Sequence, residues 1–333
     1  MSMVRYVFTV SVDKDTADCG KADIIEQATE YQAPLEGKNT RAVNSFLGTS
    51  RLTSKSVVFP VYYGELLAWA LKRYLERNHW QVISVPGYHY SEPVYENIYT
   101  DYHRNEELLL DGQLLIDNGN YRLVITADVK ASSHSLVIVE GGSSNKREIK
   151  EFADGIKYIV EKENYYREKR VEFSGRIRFK DFKDIRDEVW RNIDLSPSVK
   201  AQIKAGIVDL FDNKQIWTRH GLPLKRCVLI AGGAKKDKAS ICRALMAEAV
   251  GITCIVTNAR DLDYDYSAQL YQLARDLNPC IVFIEDIDFI GQKRINSVNR
   301  GRSGLTSLLT LLGSVEEHEG IVTVATATSV SCH

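Results

Sequence analysis

The 333-residue sequence has no run of 18 apolar residues, so by length alone it contains no candidate membrane-spanning helix. It opens on Met1-Ser2-Met3-Val4-Arg5-Tyr6-Val7-Phe8-Thr9, a short alternating stretch without the apolar centre of a secretory signal. It has almost no net charge, because 43 basic side chains face 44 acidic ones and leave −1. Surfaces that hold nucleic acid or anionic membranes carry a basic excess, so neither partner is expected. The six cysteines, Cys19, Cys227, Cys242, Cys254, Cys280 and Cys332, form no C-x-x-C pair, and no histidine stands at ligand spacing from them. Zinc is therefore not expected, and a reducing, cytoplasmic setting fits. Three of the cysteines lie in apolar runs, where cysteine packs as a small hydrophobe. No internal repeat is visible. What remains is an ordinary globular balance, 44% hydrophobic and 26% charged, over a length that suits about two domains.

Residues 1–55 read as a polar N-terminal extension with one helix, around Ile24–Tyr31. Order is expected from Ser56. Leu67, Leu71, Tyr74 and Leu75 form a helical stripe within Gly64–Arg77. A strand is expected over Trp80–Val85. Leu108–Ile116 and Tyr121–Val129 flank Asp117-Asn118-Gly119-Asn120, a hairpin signal. Ser135–Glu140 reads as a further strand. Ile149, Phe152, Ile156 and Ile159 share one face of a helix over Glu148–Val160. Together, 56–172 form a small α+β domain. Its histidines (His79, His89, His103, His134) are scattered and read as solvated or satisfied imidazoles.

The pattern changes in 173–333. Ser196-Pro197 is a cap followed by proline at the first helical position. The helix after it carries Val199, Ile203, Ile207, Leu210 and Phe211. Cys227–Ile230 and Cys280–Ile284 are apolar throughout, as expected of a parallel sheet covered on both faces, and Ile252–Val256 and Ile321–Ala325 read as further strands. Helices alternate with them: Ser240–Val250, a segment with Leu270, Leu273, Ala274 and Leu277 that ends at Asn278-Pro279, and one with Leu305, Leu308, Leu309 and Leu312. The fold class is α/β, a parallel sheet wrapped by helices, preceded by the small α+β domain.

The first of these strands runs into Gly232-Gly233-Ala234-Lys235-Lys236-Asp237-Lys238-Ala239-Ser240. A P-loop requires G-x-x-x-x-G-K-[ST] between a strand and a helix, so that backbone amides and the helix N-terminus hold phosphates, the lysine reaches the outer phosphates and the hydroxyl binds Mg²⁺. Gly232 and Lys238 have that spacing. Asp237 replaces the second glycine, and Ala239 replaces the hydroxyl residue. A like-charge contact at about 4 Å costs on the order of 4 kcal/mol at an effective dielectric near 20. Ser240 is not a direct substitute, since one step along a helix turns the side chain by about 100°. A basic solvated loop capping a strand remains the alternative reading of this segment.

Pro279-Cys280-Ile281-Val282-Phe283-Ile284-Glu285-Asp286 is an apolar strand ending in two acids. This is the arrangement in which one carboxylate holds Mg²⁺ and the next positions the attacking water. Such a strand places both acids at the carboxyl edge of the sheet, where open α/β sheets bind ligands. Two acids capping a strand is the plainer alternative.

With these motifs in place, residues of about 173–333 resemble the AAA family of P-loop ATPases. Gly221–Ile230 is similar to the family's approach to its P-loop, Pro279–Ile290 to its second motif, and Leu305–Val315 with Ile321–Thr328 to the helix and strand leading to its sensor. The Glu-Asp order is that of some bacterial members. The resemblance implies an ATP-driven, ring-forming remodeller of protein clients that uses ATP and Mg²⁺. It would give Lys238 to phosphate, Glu285 to Mg²⁺ and Asp286 to water activation. Thr328 stands where the family has its sensor asparagine. Tyr264 or Tyr266 stands near the aromatic that grips substrate in the ring pore, and Gly313-Ser314 replaces an Asp-Gly.

The sequence ends at His333, before the positions where the family has its trans-acting arginines, fifth strand and helical lid. Cys227–Ile230 is accordingly expected to form an exposed apolar edge. Ring-coupled hydrolysis is expected to be weak or absent, since an arginine in trans contributes about 10³- to 10⁵-fold. Two other readings stay open: a pseudo-ATPase acting as a binding or scaffold module, and a truncated product without function.

Overall fold

A computed structural model describes residues 7–9, 39–83, 93–130, 133–180, 188–220, 224–232, 235–262, 264–289 and 319–328. The expected helices at Ile24–Tyr31 and around Leu305–Leu312 lie outside these residues, as do Gly313 and Ser314. In chain order the elements begin with β1 (Val7–Thr9), α1 (Asn39–Leu47), β2 (Leu52–Pro60), α2 (Gly64–Arg77), β3 (Gln81–Val82) and β4 (Val94–Tyr99). They continue with β5 (Asn105–Asp117), β6 (Arg122–Asp128), β7 (His134–Gly142), α3 (Lys146–Lys162), β8 (Arg170–Phe173) and β9 (Ile177–Phe179). Next come α4 (Glu188–Arg191), α5 (Pro197–Ile207), α6 (Asp209–Asp212), α7 (Lys214–Arg219), β10 (Lys225–Ala231) and α8 (Lys235–Glu248). The last are β11 (Thr253–Asn258), α9 (Tyr264–Asp276), β12 (Cys280–Glu285) and β13 (Ile321–Ala327). They fall into two compact units, one of Met1–Val12, Tyr99–Arg104 and Asn164–His333, the other of Asp13–Ile98 and Asn105–Glu163.

The first unit holds a seven-stranded sheet in the order β1-β10-β13-β12-β11-β8-β9. Strands β10, β13, β12, β11 and β8 run parallel. Alternation sorts their side chains between two covered faces. Val228 and Ile230, Cys254 and Val256, Ile281 and Phe283, and Val322 and Val324 pack with Ile241 and Leu245 of α8. On the other face the Tyr271 hydroxyl of α9 meets Thr323 Oγ1 at 2.9 Å. This double cover is why Cys280–Ile284 of β12 reads as an unbroken apolar run. Helix α5 starts where Ser196 Oγ accepts the Val199 amide at 3.4 Å ahead of Pro197. At the far end of α8, both Nε and Nη2 of Arg170 donate to Met246 O, at 2.9 and 2.6 Å. That places a guanidinium at the negative end of the helix dipole.

The sequence leads one to expect β10 as an open edge, and the structure corrects this. Strand β1 pairs antiparallel with it, with Val7 opposite Ile230, Phe8 opposite Leu229 and Thr9 opposite Val228. The hairpin β8–β9, turned at Gly175 with φ +78°, extends the sheet at its other end. Two boundaries also move. Helix α8 begins at Lys235 rather than Ser240, so the second half of the segment read from sequence as a P-loop is a first helical turn. Of the strand expected over Trp80–Val85, Gln81–Val82 is strand among the described residues, and residues 84 and 85 lie outside them.

The second unit is an antiparallel sheet in the order β2-β7-β6-β5-β3, with β4 paired to β5. Helix α1 and the first residues of β2, Leu52–Lys55, lie within the stretch read from sequence as a polar extension. Leu123 and Gly141 face α3, since a Cβ on Gly141 would meet Leu123 and Ile149. Val124 and Leu115, one step along their strands, face the other way and pack with Val43 and Phe46 of α1. The sheet is therefore covered on both sides, which three-layer packing requires of a central strand. Helices α2 and α3 touch at Gly155, where any side chain would collide with the Tyr74 ring.

Glu140 on β7 has a buried Oε1 without a hydrogen-bond partner among the described residues. Burial pushes its carboxyl above the ordinary carboxylate range. The folded state thus disfavours the ionised form. That cost is absent below about pH 4, grows as pH rises through the unfolded pKa, and is full above the folded one. A Glu140→Gln variant is expected to melt higher than the wild type at pH 7 and to lose that advantage at pH 4. Thermal melts at the two pH values check it.

Candidate functional site

The site begins where β10 ends. The Gly232 amide continues the ladder by donating to Ala327 O at 3.2 Å. Gly233 and Ala234 lie outside the described residues. Lys235, Lys236 and Asp237 form the start of α8, and their side chains are likewise not described. Lys238 follows in the same turn. It is only 3% exposed, and its Nζ reaches back over the loop to donate to Gly232 O at 2.5 Å. Among the described residues no carboxylate lies within ion-pair distance of it.

That position is costly for a cation. A buried charge needs a counter-charge, and the first turn of a helix is the positive end of its dipole. Both terms are relieved when an anion enters, since the same free amides and the same ammonium then converge on it. The geometry therefore fits a phosphate group better than it fits an empty loop.

The metal side fits less well. Ala239 offers no oxygen from its side chain. Ser240 Oγ accepts from Arg243 Nη2 at 3.2 Å along the outer side of α8. The sequence-based doubt about Ser240 as a substitute hydroxyl is thus matched by a hydroxyl engaged elsewhere.

Glu285 ends β12, two strands from β10 with β13 between them, which sets the two strand ends about 10 Å apart. It continues the alternation of Ile281 and Phe283 and so belongs to the α8 face. The Cys242 thiol on α8 feels it directly. Burial first, and the Glu285 charge second, push that thiol up to about 12. Cys242 is thereby kept protonated and unreactive. Asn258, at the end of β11, is the register partner of Glu285, and Glu285 O accepts the Ala259 amide at 2.9 Å.

Asp286 is 3% exposed and has φ +56°. A left-handed conformation at a residue with a Cβ is unusual, and Asp tolerates it better than most. The turn is held from β13. The Asp286 amide donates to Thr326 Oγ1 at 3.1 Å, and the Ile287 amide to Thr326 O at 2.8 Å. Without the twist, strict alternation would send the Asp286 side chain to the α9 face, away from Glu285.

Thr328 is exposed, and its amide donates to Asp288 Oδ2 at 3.1 Å. The residue that contacts the turn through its hydroxyl is therefore Thr326, which the sequence reading passed over. Asp288 is also new to the site, and its Oδ1 is buried without a partner among the described residues. Only the Thr-Ala-Thr spacing of 326–328 signals them, by setting two hydroxyl residues on one side of a strand end. Arg260 stacks its guanidinium 3.7 Å from the Phe289 ring beside this edge. Of the two tyrosines read as pore candidates, the Tyr264 side chain is not described. Tyr266 is 39% exposed and lies against Gly175 in the β8–β9 turn, where an added Cβ would meet its ring at 2.7 Å.

Residues 228–332 match the family described as ATPase family associated with various cellular activities (AAA). Among curated proteins, ATP-dependent zinc metalloprotease FtsH 1 of Alkaliphilus metalliredigens is 27% identical over 157 residues, 44% of this chain and 26% of that protein. The FtsH metalloprotease of Acidothermus cellulolyticus is 29% identical over 163 residues, 45% of this chain and 24% of that one. A protein described as a 26S proteasome regulatory subunit homolog, from Methanocaldococcus jannaschii, is 35% identical over 107 residues, 29% of either chain. The chain thus spans about a quarter of the length of these relatives. No helix among the described residues is long and apolar enough to cross a membrane.

Proposed function

With an AAA ATPase domain over residues 228–332 as the starting point, we propose that this protein binds ATP or ADP at the carboxyl edge of its seven-stranded sheet and turns ATP over weakly or not at all. The observation that carries the reading is Lys238, a buried ammonium in the first turn of α8 with a carbonyl as its partner among the described residues. Gly232 through Ser240 form the phosphate cradle. ATP brings the transferable phosphoryl group, and Mg²⁺ would neutralise its charge.

Glu285 is the carboxylate for that metal, held by strand alternation on the face of α8. Asp286 orients the water, and its left-handed turn aims the shorter acid. Thr328 closes the edge through its amide on Asp288. The weak step is metal binding, because Ala239 contributes no hydroxyl and Ser240 is turned toward Arg243. Protein clients, and assembly of copies into a ring, follow from the family and belong to the same proposal, as does a cytoplasmic setting without nucleic acid or membrane partners. A scaffold that keeps the fold and the nucleotide but not the chemistry is the second reading, favoured by the same Ala239.

Calorimetry with ATP and ADP, with and without Mg²⁺, tests the proposal. Micromolar binding is the expected result. No heat at millimolar nucleotide in either buffer would overturn it. Glu285→Gln is expected to leave metal-free ATP binding within about threefold of wild type and to abolish any strengthening by Mg²⁺, in the same titration.

A further inference from the structure

The chain that leaves β11 is held by its backbone. The Ala259 amide donates to Glu285 O at 2.9 Å, and the Asp261 amide to Asn258 O at 3.0 Å. The Arg260 amide donates to Asn258 Oδ1 at 3.0 Å, and Asn258 is itself the register partner of Glu285. Arg260 is exposed, yet its backbone is fixed at the carboxyl edge beside Glu285. Its side chain is placed as well. The guanidinium carbon stands 3.7 Å from the centre of the Phe289 ring, the separation of a flat stack. The Phe289 amide donates to Asp286 O at 3.0 Å, so that ring belongs to the turn that carries Asp286. The guanidinium thus reaches from β11 across to the turn at the end of β12.

An exposed stack of this kind contributes little to stability. What it does is hold a planar fork of donors in one place, so that less freedom is lost when an oxyanion binds. The turn beneath it is acidic, since Glu285, Asp286 and Asp288 lie within four residues. A phosphate arriving there meets like charge. Lys238 offsets that charge from the side of α8. Strand β11 adjoins β12 on the side away from β13 and β10, so Arg260 offsets it from the opposite side. A triphosphate anchored at Lys238 and extended toward the acids brings its last phosphate to the turn on which the guanidinium lies. Paired N–H groups of arginine match two phosphate oxygens.

We propose that Arg260, stacked on Phe289, binds the terminal phosphate of ATP and makes the site prefer ATP to ADP. Lys238 serves both nucleotides, whereas Arg260 serves only the one whose phosphate chain is long enough to reach the Asp286 turn. Phe289 is the positioning residue, because it acts by holding the guanidinium flat. The inference rests on the nucleotide reading above and adds to it the group that separates a triphosphate from a diphosphate.

Calorimetry of ATP and of ADP on the full chain, without metal so that Glu285 plays no part, tests the assignment. Arg260→Ala leaves the backbone contacts of the loop in place, so its melting temperature should match the wild type. It should weaken ATP binding about five- to twentyfold and ADP binding less than twofold. Arg260→Lys keeps the charge but loses the fork and the stack, and should recover less than half of the lost affinity. Phe289→Leu removes the platform and should weaken ATP about threefold while leaving ADP alone. Unchanged ATP affinity in Arg260→Ala or in Phe289→Leu, or an equal loss for both nucleotides, would overturn the proposal. So would full recovery by lysine. A wild type that binds neither nucleotide would overturn the functional reading, and this assignment with it. A wild type that binds both, with a ratio indifferent to Arg260, would overturn the assignment alone.

Discussion

A Lys238→Met variant is expected to bind ATP about 10- to 150-fold more weakly than the wild type while melting at the same temperature or slightly higher. The two halves of that result come from one feature. Hydrogen bonds to charged groups contribute about 1.5–3 kcal/mol, which converts to that range of affinity. Without nucleotide, however, the ammonium is a liability. It is buried, it sits at the positive end of α8, and among the described residues it has Gly232 O for a partner rather than a carboxylate. Methionine keeps most of the shape and removes the charge, so the empty protein loses nothing it needs. Calorimetry and a melt on the same sample check both. Unchanged affinity would remove Lys238 from the site. Lower stability would mean the lysine serves the fold.

The largest loss of stability is expected from Gly64→Ala, about 3 kcal/mol, or roughly 6–12 °C in the melting of the second unit. Gly64 opens α2, and a Cβ there would lie 2.4 Å from Val129 O and 2.8 Å from Ser135 Oγ. The Ser135 hydroxyl donates to that same Val129 oxygen at 3.1 Å. Neither neighbour can yield cheaply, because one is backbone and the other is bonded to it. Gly48→Ala is the control. Gly48 has φ +69° but open space around it, so only conformational strain of about 1 kcal/mol applies. Chemical denaturation of the two variants side by side decides the matter. Equal losses would show that the contact at Gly64 relaxes and that strain alone counts.

The parallel strands of the first unit were legible because burial on both faces leaves a run such as Cys280–Ile284 without a polar break. The two motifs at their ends were legible for the same reason, since a strand boundary fixes which residues reach the edge. Strand β1 was not legible as a partner of β10, because a short alternating stretch does not say what it pairs with and its mate is more than two hundred positions away. The start of α8 was missed because Lys235, Lys236, Asp237 and Lys238 show no apolar periodicity, and the backbone rather than the side chains makes that turn. Strand β2 was missed in its first residues because its outer positions are only partly buried, which weakens the alternation that marks a strand. Thr326 escaped because its role is a bond to a backbone amide in a turn that only the folded chain creates.

The left-handed turn also constrains how these two acids can change over time. Position 286 demands a backbone that a short polar side chain accepts more readily than a long one. Position 285 is ordinary strand, where the length of the acid is of no conformational account. Glu followed by Asp is thus the arrangement the backbone itself prefers. A lineage exchanging the pair must at some step make the change Asp286→Glu, which seats the less comfortable tenant, and the clasp of Thr326 would first need to slacken. The order of two carboxylates, which looks like a choice about chemistry, is here tethered to one dihedral angle.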